Sequence, residues 1–189
     1  MIAIRILVAG VAVATISSAI LFLAALNPEP SALDRFAPPV AAGYDRQAEA
    51  ALRSKRPERN RTAIAASEAA LRSAPYDTTA LLRIAQIDRQ SDGRLDATGL
   101  SAVAESYRRS PFDRSVALWR IRFCLESWDR LSPDVKRSVH DEVFAVATEP
   151  GHMWSLRTRL TGVRNRQGRM IATLWHLRIA RMMESPGAR

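Results

Sequence analysis

The chain has 189 residues, of which 47% are hydrophobic and 25% charged, and it holds one cysteine. That balance excludes a disordered polar tail, and a lone thiol excludes an intrachain disulfide framework. The formal charge of +9 is carried almost entirely by arginine, which directs attention to anionic partners.

Residues 6–26 run from Ile6 to Leu26 without a charged side chain. As a helix this run would be roughly 31 Å long, enough to cross the hydrocarbon core of a bilayer. Residues 1–26 therefore read as a transmembrane anchor. A cleaved secretory signal is the competing reading, but its apolar core is shorter and needs a small-x-small site. Leu23-Ala24-Ala25 lacks the first small residue, and Ser17-Ser18-Ala19 lies inside the run. Arg5 and the amino terminus flank the run on one side; Glu29 and Asp34 precede Arg35 on the other. The basic flank stays inside, so the N-terminus is expected in the cytoplasm and the remainder in the periplasm of a bacterial inner membrane.

Residues 27–43 contain Pro28, Pro30, Pro38 and Pro39 and read as a semi-extended linker. Helical patterning is expected from Tyr44. Asp45–Lys55 is a short helix ended by Pro57, and Ala63–Leu71 is a second one capped by Asn60 or Thr62. Ala74-Pro75-Tyr76-Asp77 breaks it, and Asp77 caps a helix carrying Leu81, Ile84, Ala85 and Ile87. Another helix begins near Asp96. Ser110-Pro111-Phe112-Asp113 closes it and caps the next, whose apolar face is Ala117, Ile121, Cys124, Leu125 and Trp128. Ser132-Pro133-Asp134 opens a helix with Val135, Val139, Val143 and Ala147 at steps of four. No stretch alternates as a strand would, so the fold class is all-α.

Two segments match at an offset of 36 residues: Leu71-Arg-Ser-Ala-Pro75-Tyr-Asp77 and Tyr107-Arg-Arg-Ser-Pro111-Phe-Asp113. A period of this size marks stacked helical hairpins, because one hairpin cannot bury its apolar face alone. The pattern resembles the tetratricopeptide repeat. Ala63, Ala70 and Pro75, then Gly99, Ser106 and Pro111, match that family's small residues and helix-ending proline. Leu81 and Ala85 match the large and small positions of the following helix. The usual Gly-x-x-Tyr is missing, with Ala85 and Asp88 in its place. The resemblance covers about Thr62–Ala147 and implies a stack of antiparallel helical hairpins, with Ala70, Pro75, Leu81, Ala85, Gly99 and Pro111 at the packing positions; the helical-repeat domain is expected over residues 44–150. The layout also resembles small anchored helical proteins of proteobacterial envelope polysaccharide loci, and so implies work in polysaccharide biosynthesis or export.

Residues 151–189 form an arginine-rich segment with eight arginines against one acid, Glu184. Met153, Trp154, Leu156, Leu160 and Val163 suit one helix. Asn165–Gly168 reads as a turn or kink. Met170, Ile171, Leu174, Trp175, Leu177, Ile179, Met182 and Met183 suit a second helix. The candidate anion- or partner-binding residues are Arg157, Arg159, Arg164, Arg166, Arg169, Arg178 and Arg181, with Trp154 and Trp175 beside them. The guanidinium fork binds carboxylate or phosphate bidentately, and tryptophan beside basic residues suits a membrane surface. A terminal helix pair that caps the array, with its arginines solvated, is the competing reading of the same pattern.

No phosphate loop, Gly-x-Ser-x-Gly, Cys-x-x-Cys or His-Glu-x-x-His occurs, and no catalytic, metal-ligating or cofactor-binding residue is named. His140-Asp141-Glu142 reads as a solvated helix surface and Cys124 as a core residue. The expected function is a non-enzymatic, membrane-anchored scaffold or adaptor that binds a partner protein in an envelope assembly. The alternatives are an accessory subunit that binds anionic lipid or glycan through its arginine-rich end, and a cytoplasm-facing nucleic-acid binder. An exported domain would exclude the last.

Overall fold

The computed structural model describes residues 41–149 and 151–184. The anchor at 1–26, the spacer before Ala41 and Pro150 lie outside the described residues. So do the side chains of Met183 and Glu184.

Among the described residues the protein is all-α, with eight α-helices and no strand. They are α1 (Ala41–Arg53), α2 (Arg59–Ser73), α3 (Thr78–Asp92), α4 (Ala97–Arg109), α5 (Ala117–Glu126), α6 (Pro133–Ala147), α7 (Met153–Leu160) and α8 (Arg166–Glu184). A 3-10 turn, Trp128–Arg130, joins α5 to α6. No described helix is long and apolar enough to cross a membrane.

The chain divides into two compact units at Pro75. In the first, α1 packs against α2. Their seam is made of small residues: Ala48 on α1 faces a buried stripe of Ala63, Ala66, Ser67 and Ala70 on α2. Alanine at these positions lets helix backbones approach closely. The expected linker end is corrected here. Ala41, Ala42 and Gly43 are helical; beyond the prolines, alanine favours the helix. The expected cap of α2 is corrected too. The helix starts at Arg59, ahead of Asn60 and Thr62, and Glu58 at its cap makes no side-chain cap bond. The Thr62 hydroxyl donates instead to the Glu58 carbonyl from inside the first turn.

In the second unit, residues 76–184, α3 and α4 form a hairpin. Asp77 caps α3 by accepting from the amides of Thr79 and Ala80, and Asp96 caps α4 by accepting from Thr98 and Gly99. Leu81, Ile84, Ala85 and Ile87 on α3 and Val103 and Tyr107 on α4 are buried. Gly99 is where the hairpin closes: a Cβ there would overlap the Asp88 carboxylate and Leu95. Pro75 and Pro111 stand exposed just past the ends of α2 and α4, where proline stops a helix without disturbing the core. Asp113 does not cap α5 as expected. Residues 114–116 form a turn, and Asp113 accepts from the Ser115 amide at 3.0 Å. Its other oxygen takes the Thr78 hydroxyl, so it ties this turn to the start of α3.

Helix α5 is the hub, in contact with α6, α7 and α8. Ile121, Cys124 and Leu125 are buried on it, opposite Val139 and Val143 of α6 and Leu156 of α7. Ser132 caps α6 through the Val135 amide, with Pro133 in the first turn. Residues 151–184 belong to this same unit.

Candidate functional site

The arginine-rich end is organised by α5. Arg122 reaches across to the loop between α7 and α8 and donates to the carbonyls of Arg159 (3.1 Å), Thr161 and Gly162. It also pairs with Glu126 at 2.8 Å. Glu126 in turn accepts from the amides of Arg164 and Asn165. Burial pushes the Glu126 carboxyl up, but those two amides and Arg122 outweigh it and hold the group below its ordinary range. Asn165 then accepts from the Gly168 amide at 2.9 Å, so the expected turn or kink is the capped start of α8. Gly168 lies against α5, where a Cβ would overlap the Leu125 carbonyl.

This clamp distributes the candidate arginines over separate surfaces. Arg159 and Arg164 are exposed beside α5; Arg166, Arg169, Arg178 and Arg181 are exposed on α8. Arg157 is half-buried and lies 3.4 Å from the His176 ring. Arg178 covers the Phe144 ring, its guanidinium carbon 4.8 Å from the centroid. Trp154 is 77% exposed.

Trp175 is corrected from surface candidate to core. It is only 7% exposed and meets Trp128 edge to face at 5.5 Å. The reason lies in the two faces of α8. Gly168, Ala172, Trp175 and Ile179 recur at helical spacing and are buried. Met170, Leu174 and Leu177 recur at the same spacing on the opposite face and are 61%, 56% and 51% exposed. The second stripe has nothing over it among the described residues, and Arg166, Arg169, Arg178 and Arg181 flank it.

A further arrangement was not anticipated from sequence. A cleft of 390 Å³ lies between α3, α5 and the end of α7, lined by Arg89, Trp119, Arg122, Phe123, Arg159 and Arg164 among others. Trp119 stacks on Phe123 at 4.7 Å and 18°, and Arg89 sits 5.1 Å over the Phe123 ring. A second hollow of 460 Å³ shares Arg122 and Arg159 with the first and is bounded by Trp154, Ser155 and Thr158. The sequence signal for it was the Trp119-x-x-Arg122-Phe123 spacing, which puts these side chains on one side of α5.

Other titratable groups are engaged structurally. Glu142 was read as solvated, and it is corrected to a buried residue. It accepts from Arg120 and from the Tyr107 hydroxyl at 2.8 Å, while His140 and Asp141 stay near the surface. Burial pushes the Cys124 thiol up to about 12, which leaves it protonated and inert. Asp88, Asp92 and Asp96 bring oxygens within 4.8 Å of one another. Asp88 accepts from the Asp96 amide, however, and Asp96 from Thr98 and Gly99. These carboxylates close the α3–α4 turn.

Comparison with protein-family models, with curated proteins and with solved structures gives no match.

Proposed function

We propose that this protein is a non-enzymatic adaptor, tethered by its apolar N-terminal run with the helical part on the periplasmic side of a bacterial inner membrane. In this reading the helical hairpins form a tetratricopeptide-like scaffold, and the outer face of α8 binds a protein partner in an envelope assembly. The observation that carries the reading is the second apolar stripe of α8. Met170, Leu174 and Leu177 are exposed at the i, i+4, i+7 spacing by which a helix anchors in an apolar groove. An uncovered apolar face on a helix already packed on its other side marks an interaction surface. The four flanking arginines suit a partner with an acidic rim, and methionine adapts to irregular surfaces.

The test is site-specific photocrosslinking in native membranes. A photoreactive residue at Leu174 should crosslink to a defined protein, and the same residue at Arg137 on α6 should not. Arg166→Glu with Arg169→Glu should reduce the adduct. Crosslinks to lipid alone would remove the adaptor reading. Retention in the membrane fraction after carbonate washing tests the tether; a shortened, soluble mature form would show that the run is cleaved.

A second reading has its own support. Arginines bordering an exposed apolar helix face also suit an anionic bilayer interface. Flotation with phosphatidylglycerol vesicles, set against phosphatidylcholine vesicles, separates it from the first.

A further inference from the structure

We propose that the groove running from Trp119, past Arg122 and Arg159, to Trp154 binds a strand of anionic polysaccharide, one whose sugar rings carry carboxylates. This does not depend on what α8 binds, because the groove lies on α3, α5 and α7.

Three observations converge on it. The first is charge. Among the described residues no carboxylate pairs with the guanidinium groups of Arg89, Arg159 or Arg164, whereas the Arg122–Glu126 pair holds the floor together. Unpaired arginine forks around a cleft are prepared for carboxylates, which they take bidentately.

The second is the aromatic surface. The two hollows meet at Arg122 and Arg159 and have one tryptophan each, Trp119 in the first and Trp154 in the second. Trp119 is stacked on Phe123 at 4.7 Å, which leaves no gap for a planar base to slide between them. An outer indole face can still cover the apolar C–H face of a pyranose. Two such platforms with cations between them suit a repeating chain better than a single small molecule.

The third is the kind of polar group available. Gln86 and Gln90 border the first hollow, and Ser155 and Thr158 the second; their amides and hydroxyls can exchange hydrogen bonds with sugar hydroxyls. The walls are helices, whose main-chain groups bond internally. The free carbonyls of Arg159, Thr161 and Gly162 are already taken by Arg122. The polar groups this groove offers are chiefly side chains, which suits a glycan better than an extended peptide that pairs through its main chain.

The experiment is calorimetric titration of the full chain in detergent micelles. The probes are a galacturonate oligomer, a neutral galactose oligomer of equal length, and polyglutamate. The galacturonate oligomer should bind, with the other two weaker by about tenfold or more, or ~1.4 kcal/mol. Arg159→Gln with Arg164→Gln should weaken binding by a similar factor. Trp154→Ala, at an exposed side chain, should weaken the oligomer without changing binding of monomeric galacturonate. Arg130→Gln with Arg137→Gln removes equal charge elsewhere and should change nothing. Melting temperatures of all variants exclude misfolding. The proposal is overturned by no binding, by polyglutamate binding as well as the glycan, or by equal losses in the two arginine pairs. Oligomer affinity indifferent to Trp154 also overturns it.

Discussion

The Nε of Arg120 donates to both carboxylate oxygens of Glu142, at 3.2 and 3.3 Å, and neither side chain reaches solvent. The rest of the guanidinium is also satisfied, by the carbonyls of Ser106, Ser110 and Pro111, and its plane covers the Tyr107 ring at 4.0 Å. One arginine thus closes the C-terminal end of α4, joins α5 to α6 and occupies volume in the core. Burial pushes the Glu142 carboxyl up, partly offset by Arg120 and the Tyr107 hydroxyl.

Removing one partner strands the other charge without water. Arg120→Met should therefore destabilise the protein by about 3–5 kcal/mol, and Arg120→Met with Glu142→Leu by clearly less. Urea denaturation of the single and double variants gives the coupling. Additive losses would show that the two side chains do not act as a pair.

A pH dependence follows from Glu126. Its carboxyl titrates below its ordinary range in the folded protein, so the unfolded chain binds its proton first as the pH falls. The stabilisation is present above the ordinary glutamate value of 4.5 and is lost as the pH drops through the lower, folded value. Glu126→Gln removes the charge that the amides of Arg164 and Asn165 meet. It should cost roughly 1–3 kcal/mol at neutral pH and flatten the stability curve on the acid side. Thermal melts of both proteins across the acid range check this; an unchanged acid slope would place the loss in other carboxylates.

What could be read in advance follows from the range of the interactions. Asp77 and Ser132 cap helices through amides two or three residues away, and such local chemistry is visible in a sequence. The small residues Ala70, Ala85 and Gly99 entered through the tetratricopeptide resemblance, and all three are buried. The site was not legible to the same degree. Arg122 binds the Gly162 carbonyl 40 residues away, and that clamp decides which arginines share a surface. Glu142 was misread because Arg120, 22 residues upstream, gives no local sign of its position. In α8 both stripes have the same helical spacing, so periodicity does not identify the inner one. Trp175 was a surface candidate because tryptophan beside basic residues suits a membrane surface, a local cue that does not show which stripe faces the core.

The close approach of α8 to α5 gives a steric prediction. Gly168→Ala places a methyl group on the Leu125 carbonyl, a backbone atom that moves only with its helix. The expected loss is about 1–3 kcal/mol from overpacking, although alanine is the better helix former. Differential scanning calorimetry should show a lowered melting temperature. A variant as stable as the parent would mean that the two helices stand further apart at this point.

The two faces of α8 should separate in stability and in binding. Ile179 is fully buried and Leu174 is 56% exposed, on opposite sides of one helix. Ile179→Ala deletes core contacts and should cost about 2–5 kcal/mol. Leu174→Ser exchanges an apolar surface group for a polar one and should stay within about 0.5 kcal/mol of the parent. The order should reverse for docking: Leu174→Ser should weaken partner or vesicle binding, while Ile179→Ala should retain it at temperatures where the variant remains folded. Denaturant titration paired with the crosslinking yield reads both quantities from the same preparations. If Leu174→Ser is destabilised as much as Ile179→Ala, the outer stripe is covered in the folded protein and is no docking face.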